Sequence, residues 1–255
     1  MFSIIVPTLQ NGNPEILKHL LDVLNSDSAV GEIILIDNSR KGYDTKNLNK
    51  VRLITPKKNL YVNPSWNLGI SMAQYDYFGI LNDDLIIPIN LCEKIMEKFE
   101  KEYLGLTGLS NAIKNVGTAA LNFCEKNTPI ESLDFDILEQ RTDVTYWGSA
   151  IFGKKQDYYE IPTNIKIWCG DDYLFYMNKK NQKYCYQILT DKIFHIHSTT
   201  TSLRNWYKIK KNDIQNFARI DKNFEIPIGY KNNKLKALWL FCRRLGLICQ
   251  IKNIS

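Results

Sequence analysis

Apolar residues cluster in short runs over the first hundred positions, and these runs alternate with stretches of helical periodicity. Residues 2–6 form a continuous apolar run, which predicts a buried strand. Asn13-Pro14 joins a capping side chain to a proline suited to a first helical position, and Ile16, Leu17, Leu20, Leu21 and Leu24 follow at helical spacing. Residues 33–37 and 51–55 predict a second and a third strand. Asn63-Pro64 repeats the capping pattern and opens a helix through about Met72. A fourth strand over 77–81 ends in Asn82-Asp83-Asp84, and Pro88 begins a helix through about Glu102. This alternation predicts an α/β fold, a mixed but mostly parallel sheet with helices on both faces. Ligands of such sheets sit at the carboxyl ends of the strands. Thr8, Asp37-Asn38-Ser39 and Asn82-Asp83-Asp84 all fall at such ends.

The second half is less regular. Residues 105–141 read as partly irregular. A strand is expected over 144–152, carrying Trp147-Gly148-Ser149, and Gly170-Asp171-Asp172 precedes a helix. A late strand is expected over 192–197, then helices over 203–220 and 234–249. The expected division is one domain over 1–221, in halves 1–105 and 106–221, followed by a connector and a basic amphipathic helix over 222–255.

The chain has 255 residues, 44% hydrophobic and 24% charged, enough apolar material for a sizeable core. Its 33 basic and 27 acidic side chains leave a net charge of +6. That mild excess fits phosphorylated substrates or an anionic membrane surface, and it is too small to argue for nucleic acid. The six cysteines form no C-x-x-C pair, which removes zinc-ribbon and thioredoxin readings and leaves free thiols. The opening residues lack the basic region and cleavage site of a signal peptide, so a cytoplasmic location is expected. No stretch has the ~18 apolar residues needed to span a bilayer. The segment 234–249 carries Lys236, Arg243 and Arg244 among apolar residues, with Trp239 and Phe241 adding aromatic bulk. It either rests on an anionic bilayer as a peripheral contact or docks on the domain.

Adjacent carboxylates at a strand end repel unless a cation neutralises them. Asp83-Asp84 therefore suits a hard divalent ion bridging to a diphosphate, although Asn and Asp also make ordinary turns. Asp37 can accept hydrogen bonds from a base or a ribose hydroxyl. Asp171-Asp172 offers a general base or, more simply, a helix cap. His195 and His197 alternate, so a strand would put both on one face, where an imidazole can ligate a metal or pack in the core. The chain contains no G-x-x-x-x-G-K-[ST], no G-x-G-x-x-G and no G-x-S-x-G, which disfavours P-loop enzymes, dehydrogenases and α/β-hydrolases.

Taken in order, Ser3-Ile-Ile-Val-Pro-Thr8, Ile34-Leu-Ile-Asp37-Asn-Ser39, Asn59 with Asn67-Leu-Gly69, Leu81-Asn-Asp83-Asp84, Trp147-Gly-Ser-Ala150, Gly170-Asp171-Asp172 and His195/His197 resemble the family 2 inverting glycosyltransferases of the GT-A fold over about residues 2–205. The resemblance implies a nucleoside-diphosphate-sugar donor, UDP or dTDP, and a glycan or lipid-linked acceptor hydroxyl. It places Pro7, Thr8, Asp37 and Asn38 at the nucleotide, with Asn59 and Asn67 in the same binding set. It aligns Asn82-Asp83-Asp84 with the family's D-x-D motif, Asp84 holding Mn²⁺ or Mg²⁺ and Asp83 facing sugar or ribose. It makes Asp172, beside Asp171, the general base and assigns His195 or His197 to the metal. It puts Trp147 and Gly148 in the pocket for donor sugar and acceptor. Asn82 departs from the motif's first Asp, and weaker metal dependence is the expected consequence. The stretch Asn59–Asn67 is similar, loosely, to the rhamnosyltransferase-like branch. A nucleotidyltransferase, or an inactive sugar-nucleotide-binding protein, remains the alternative on these residues.

Overall fold

A computed structural model describes residues 1–102, 104–109, 113–114, 129–138, 147–196 and 206–226, with the backbone alone for 113–114. The expected helix over 234–249, most of the connector before it, and His197 lie outside these residues.

The predicted strands at the front of the chain are present. Strands β1 (Phe2–Thr8), β2 (Val30–Asp37), β3 (Val51–Ile54) and β4 (Tyr77–Leu81) run parallel in the order β3-β2-β1-β4. The sheet continues through β9 (Ala150–Lys154), β6 (Leu106–Leu109), β10 (Cys185–Leu189) and β8 (Asp134–Ile137), where β9 and β8 run antiparallel to their neighbours. Strands β5 (Leu85–Ile86) and β7 (Ile113–Lys114) flank β11 (Phe194–His195) in a small second sheet.

Alternation along each strand decides which face a residue supplies. Phe2, Ile4 and Val6 of β1 point to one side, where they pack with helix α1 (Pro14–Ser26) and helix α3 (Leu91–Lys101). Ile5 of β1 and Phe78 and Ile80 of β4 point to the other. Helix α2 (Val62–Met72), helix α4 (Gly170–Lys180) and helix α5 (Trp206–Ile220) cover that face with Trp66, Leu174, Ile214 and Phe217. Each such apolar side chain removed from water contributes about 1.5–3 kcal/mol.

Four local expectations need correction. Asn13 does cap α1, its side chain accepting the Glu15 N–H at 3.0 Å. Asn63 does not cap α2: the cap position is Tyr61, at φ +67, and Asn63 lies inside the first turn with its amide turned to the 165–168 segment. Helix α3 starts at Leu91 rather than Pro88, because Ile86 is still paired in β5 and Asn90 spends its side chain on both backbone groups of Ile130. Trp147, Gly148 and Ser149 form a turn, closed by Ala150 N–H donating to Trp147 O, and β9 begins only at Ala150. Of the expected late strand, Phe194–His195 is paired among the described residues. Strands β6, β8 and β10 were not foreseen.

Candidate active site

The strand order reverses between β2, β1 and β4, so the crevice at their carboxyl ends is where an open sheet of this kind receives a ligand. Thr8 at the end of β1 sits in register with Asp37 at the end of β2, and Pro7 opposite Ile36. Asp37 is buried. One of its oxygens accepts the Ser39 and Arg40 N–H groups at 2.9 and 3.2 Å, and the other accepts Gly42 N–H at 2.8 Å. Burial pushes its carboxyl up, but the bonds from Ser39, Gly42 and Gln10 outweigh it and hold the group below the usual range. Asn38 staples the end of β2 to the start of α2: its amide donates to Ser65 Oγ at 3.0 Å and its carbonyl accepts Leu60 N–H at 2.8 Å. Asn59 accepts Tyr61 N–H at 2.7 Å. Asn67 donates to Ile161 O and accepts from Ile161 N–H and the Tyr158 hydroxyl. All three asparagines bond to backbone groups, and Asn38 and Asn67 also to the hydroxyls of Ser65 and Tyr158.

Asn82, Asp83 and Asp84 follow β4 directly. Burial drives the Asp83 carboxyl up to about 6, a hydrogen bond from Thr8 opposes that, and the Asp84 charge adds to it. Strand β11 brings His195 alongside β5, and Ile196 N–H donates to Asp84 O at 3.0 Å. His195 Nε2 then lies 3.0 Å from Asp84 Oδ1 and 3.5 Å from Asn82 Nδ2. Asp84 Oδ1 is buried and receives no well-aligned hydrogen bond. A buried carboxylate oxygen in that state beside an imidazole nitrogen suits a shared cation. Adjacent octahedral ligands at ~2.1 Å from a metal stand about 3.0 Å apart. No group of three or more His, Cys, Asp or Glu gathers for a metal among the described residues.

The turn at 147–149 joins this segment to the second acidic pair. Asn82 N–H donates to Ser149 O at 3.0 Å, and Gly148 N–H donates to Asp171 Oδ2 at 3.0 Å. Burial raises the Asp171 carboxyl against N–H bonds from Asp172, Asp171, Gly148 and Trp147. Asp172 is 5% exposed in the first turn of α4, where the helix dipole favours a carboxylate. The Cys169 thiol bonds to it, and burial, then the charges of Asp172 and Asp171, push that thiol far above its usual range. The Trp147 ring, expected to line the sugar pocket, is 0% exposed and packs on Phe175 in the core. It is the backbone of that turn, the N–H groups of Gly148 and Trp147, that meets the acidic pair.

Thr8–Asp83, Asp84–His195, Asn82–Ser149 and Gly148–Asp171 thus form one run of contacts across five chain segments. The sequence model described as glycosyl transferase family 2 matches residues 3–205, which include all of them. The chain belongs to this family. Crystal structures of S. aureus TarS share the fold. For TarS 1–349 the TM-score is 0.54 at 14% identity, over 98% of this chain and 75% of that one. For a longer TarS structure it is 0.53 at 13% identity, over 98% of this chain and 46% of that one, so the chain spans less than half of its length. No curated protein matches the chain. This family 2 glycosyltransferase keeps α5 outside the matched residues, yet α5 proves to touch the acidic pair's supporting loop.

Proposed function

We propose that the chain moves a sugar from a UDP- or dTDP-sugar to a hydroxyl of a glycan or lipid-linked acceptor, with inversion at the anomeric carbon. The observation that carries this reading is the meeting of His195 with Asp84 at 3.0 Å and with Asn82, 113 positions earlier in the chain, at 3.5 Å. Asp84 and one histidine, His195 or His197, would hold Mn²⁺ or Mg²⁺. That ion would supply Lewis-acid stabilisation of the departing diphosphate. Thr8 and Asp37 line the nucleotide end, and Asp83 faces ribose or sugar. Asp172 takes the proton from the acceptor hydroxyl as its oxygen attacks from the face opposite the leaving group. Asp171, engaged with Gly148 N–H, orients the turn beside it.

Asn82 is the one feature that favours a second reading, an inactive binding protein with weak metal dependence. A thermal-shift screen of UDP, dTDP and their sugars, with and without Mn²⁺, tests both. Ligand at about a hundredfold its Kd stabilises a domain of this size by about 2.7 kcal/mol, or about 5–10 °C. The expected result is a shift that grows with Mn²⁺ and loses that growth in Asp84→Ala. No shift with any nucleotide would remove the reading. A shift without donor hydrolysis in the presence of Mn²⁺ would favour the inactive protein.

A further inference from the structure

The segment leading into Asp171-Asp172 is gripped from two sides. From α5, Asp213 is 1% exposed and accepts three successive backbone N–H groups: Lys166 at 3.0 Å on one oxygen, Ile167 and Trp168 at 2.8 and 3.1 Å on the other. Asn216, one turn on, donates to Asn164 O at 2.8 Å. From α2, Asn63 donates its amide to Ile165 O and Trp168 O and its N–H to Lys166 O. Asn67, again one turn on, pairs with both backbone groups of Ile161. Each helix therefore presents two short polar side chains, three or four positions apart on one face, to the same loop.

This grip has a mechanical purpose at its downstream end. Cys169 is held at φ +62, a left-handed conformation that a non-glycine residue keeps only when its surroundings over-determine it. The next residue, Gly170, starts α4 with so little room that an added Cβ would overlap Asn63 Oδ1. Both the abrupt turn at Cys169 and the start of α4 set where Asp172 points.

We propose that Asp213 is a positioning residue: by fixing the 166–168 backbone it holds Cys169 left-handed and aims the Asp172 carboxylate. This rests on Asp172 being the base. It also means that residues beyond the family-matched 3–205 complete the site. Asp213 itself does not contact Thr8, Asp37, Asp83 or Asp84 in any bond described above, so donor binding should be indifferent to it.

The test is Asp213→Asn in the full chain. The amide retains one acceptor oxygen but sets an N–H donor against backbone N–H groups that need acceptors. Three quantities are read: iodoacetamide labelling of Cys169 by peptide mass spectrometry, UDP affinity with Mn²⁺ by calorimetry, and hydrolysis of the donor that the parent cleaves fastest among UDP-glucose, UDP-galactose, UDP-N-acetylglucosamine and dTDP-rhamnose. Expected are about tenfold faster labelling, about tenfold or greater loss of kcat and UDP affinity within about twofold of the parent. Labelling or kcat within about twofold of the parent overturns the proposal, and so does UDP affinity falling in step with kcat. Asp172→Asn, measured alongside, should lose turnover with UDP affinity within about twofold of the parent. Normal turnover there defeats the base assignment while leaving the clamp to be judged on labelling. If Asp213→Asn does not fold, Asn216→Ala carries the same readouts in the same direction, and unchanged labelling in it overturns the clamp.

Discussion

Asp172 and Asp171 adjoin in sequence, but their surroundings separate them. Asp171 is committed to the Gly148 N–H and to backbone donors of its own helix turn, whereas Asp172 accepts from the Cys169 thiol, a weak donor. A group that only holds the turn affects geometry. A group that removes the acceptor proton affects the chemical step. Asp172→Asn should therefore lower kcat by about 10²-fold or more, with UDP binding retained. Steady-state kinetics beside calorimetry checks this, and near-normal turnover would remove Asp172 from the role. These residues were visible in the sequence as acidic pairs at strand and helix ends. What the sequence did not show was the difference between a side chain facing the cleft and one facing the core. Trp147, expected to line the pocket for donor sugar and acceptor, is interior and packs on Phe175. Asp213 had no signal at all: one carboxylate among the lysines of an amphipathic helix, its partners 45–47 positions away.

At the scale of elements, strands β1, β2 and β4 were legible because each is a run of branched and aromatic residues buried on both faces. Strand β6, with four residues and an internal glycine, and β8, an exposed edge strand, carry too little pattern to register. The Asn63-Pro64 signal was misread for a related reason: capping chemistry and long-range chemistry use the same amide, and only the fold says which partner is within reach. The contact of α2 with α4 depends on a glycine. At Gly170, a Cβ would overlap Asn63 Oδ1 and come within 3.0 Å of Trp66 Cζ3, both held in the core. Crowding of this kind costs about 1–3 kcal/mol. Gly170→Ala should thus lower Tm by about 2–10 °C. A melting curve that overlays the parent's would mean the two helices do not meet in this way.

For the molecule as a whole, the balance of charge bears on where the enzyme meets its acceptor. Among the described residues no helix is long and apolar enough to cross a membrane. The net charge of +6 includes Lys234, Lys236, Arg243 and Arg244 in a segment that also carries Trp239 and Phe241. Basic residues near an anionic leaflet contribute about 1 kcal/mol each, so four would suffice for reversible attachment, and aromatic residues would deepen it. Because the attraction is screened, it should weaken sharply at about 0.5 M salt. The expected outcome is that the full chain floats with phosphatidylglycerol vesicles at low salt, while a chain ending at Lys231 stays in the dense fraction and still binds UDP. Equal flotation of both forms would show that the attraction lies elsewhere on the basic surface. A lipid-linked acceptor would then have to be reached without help from this segment.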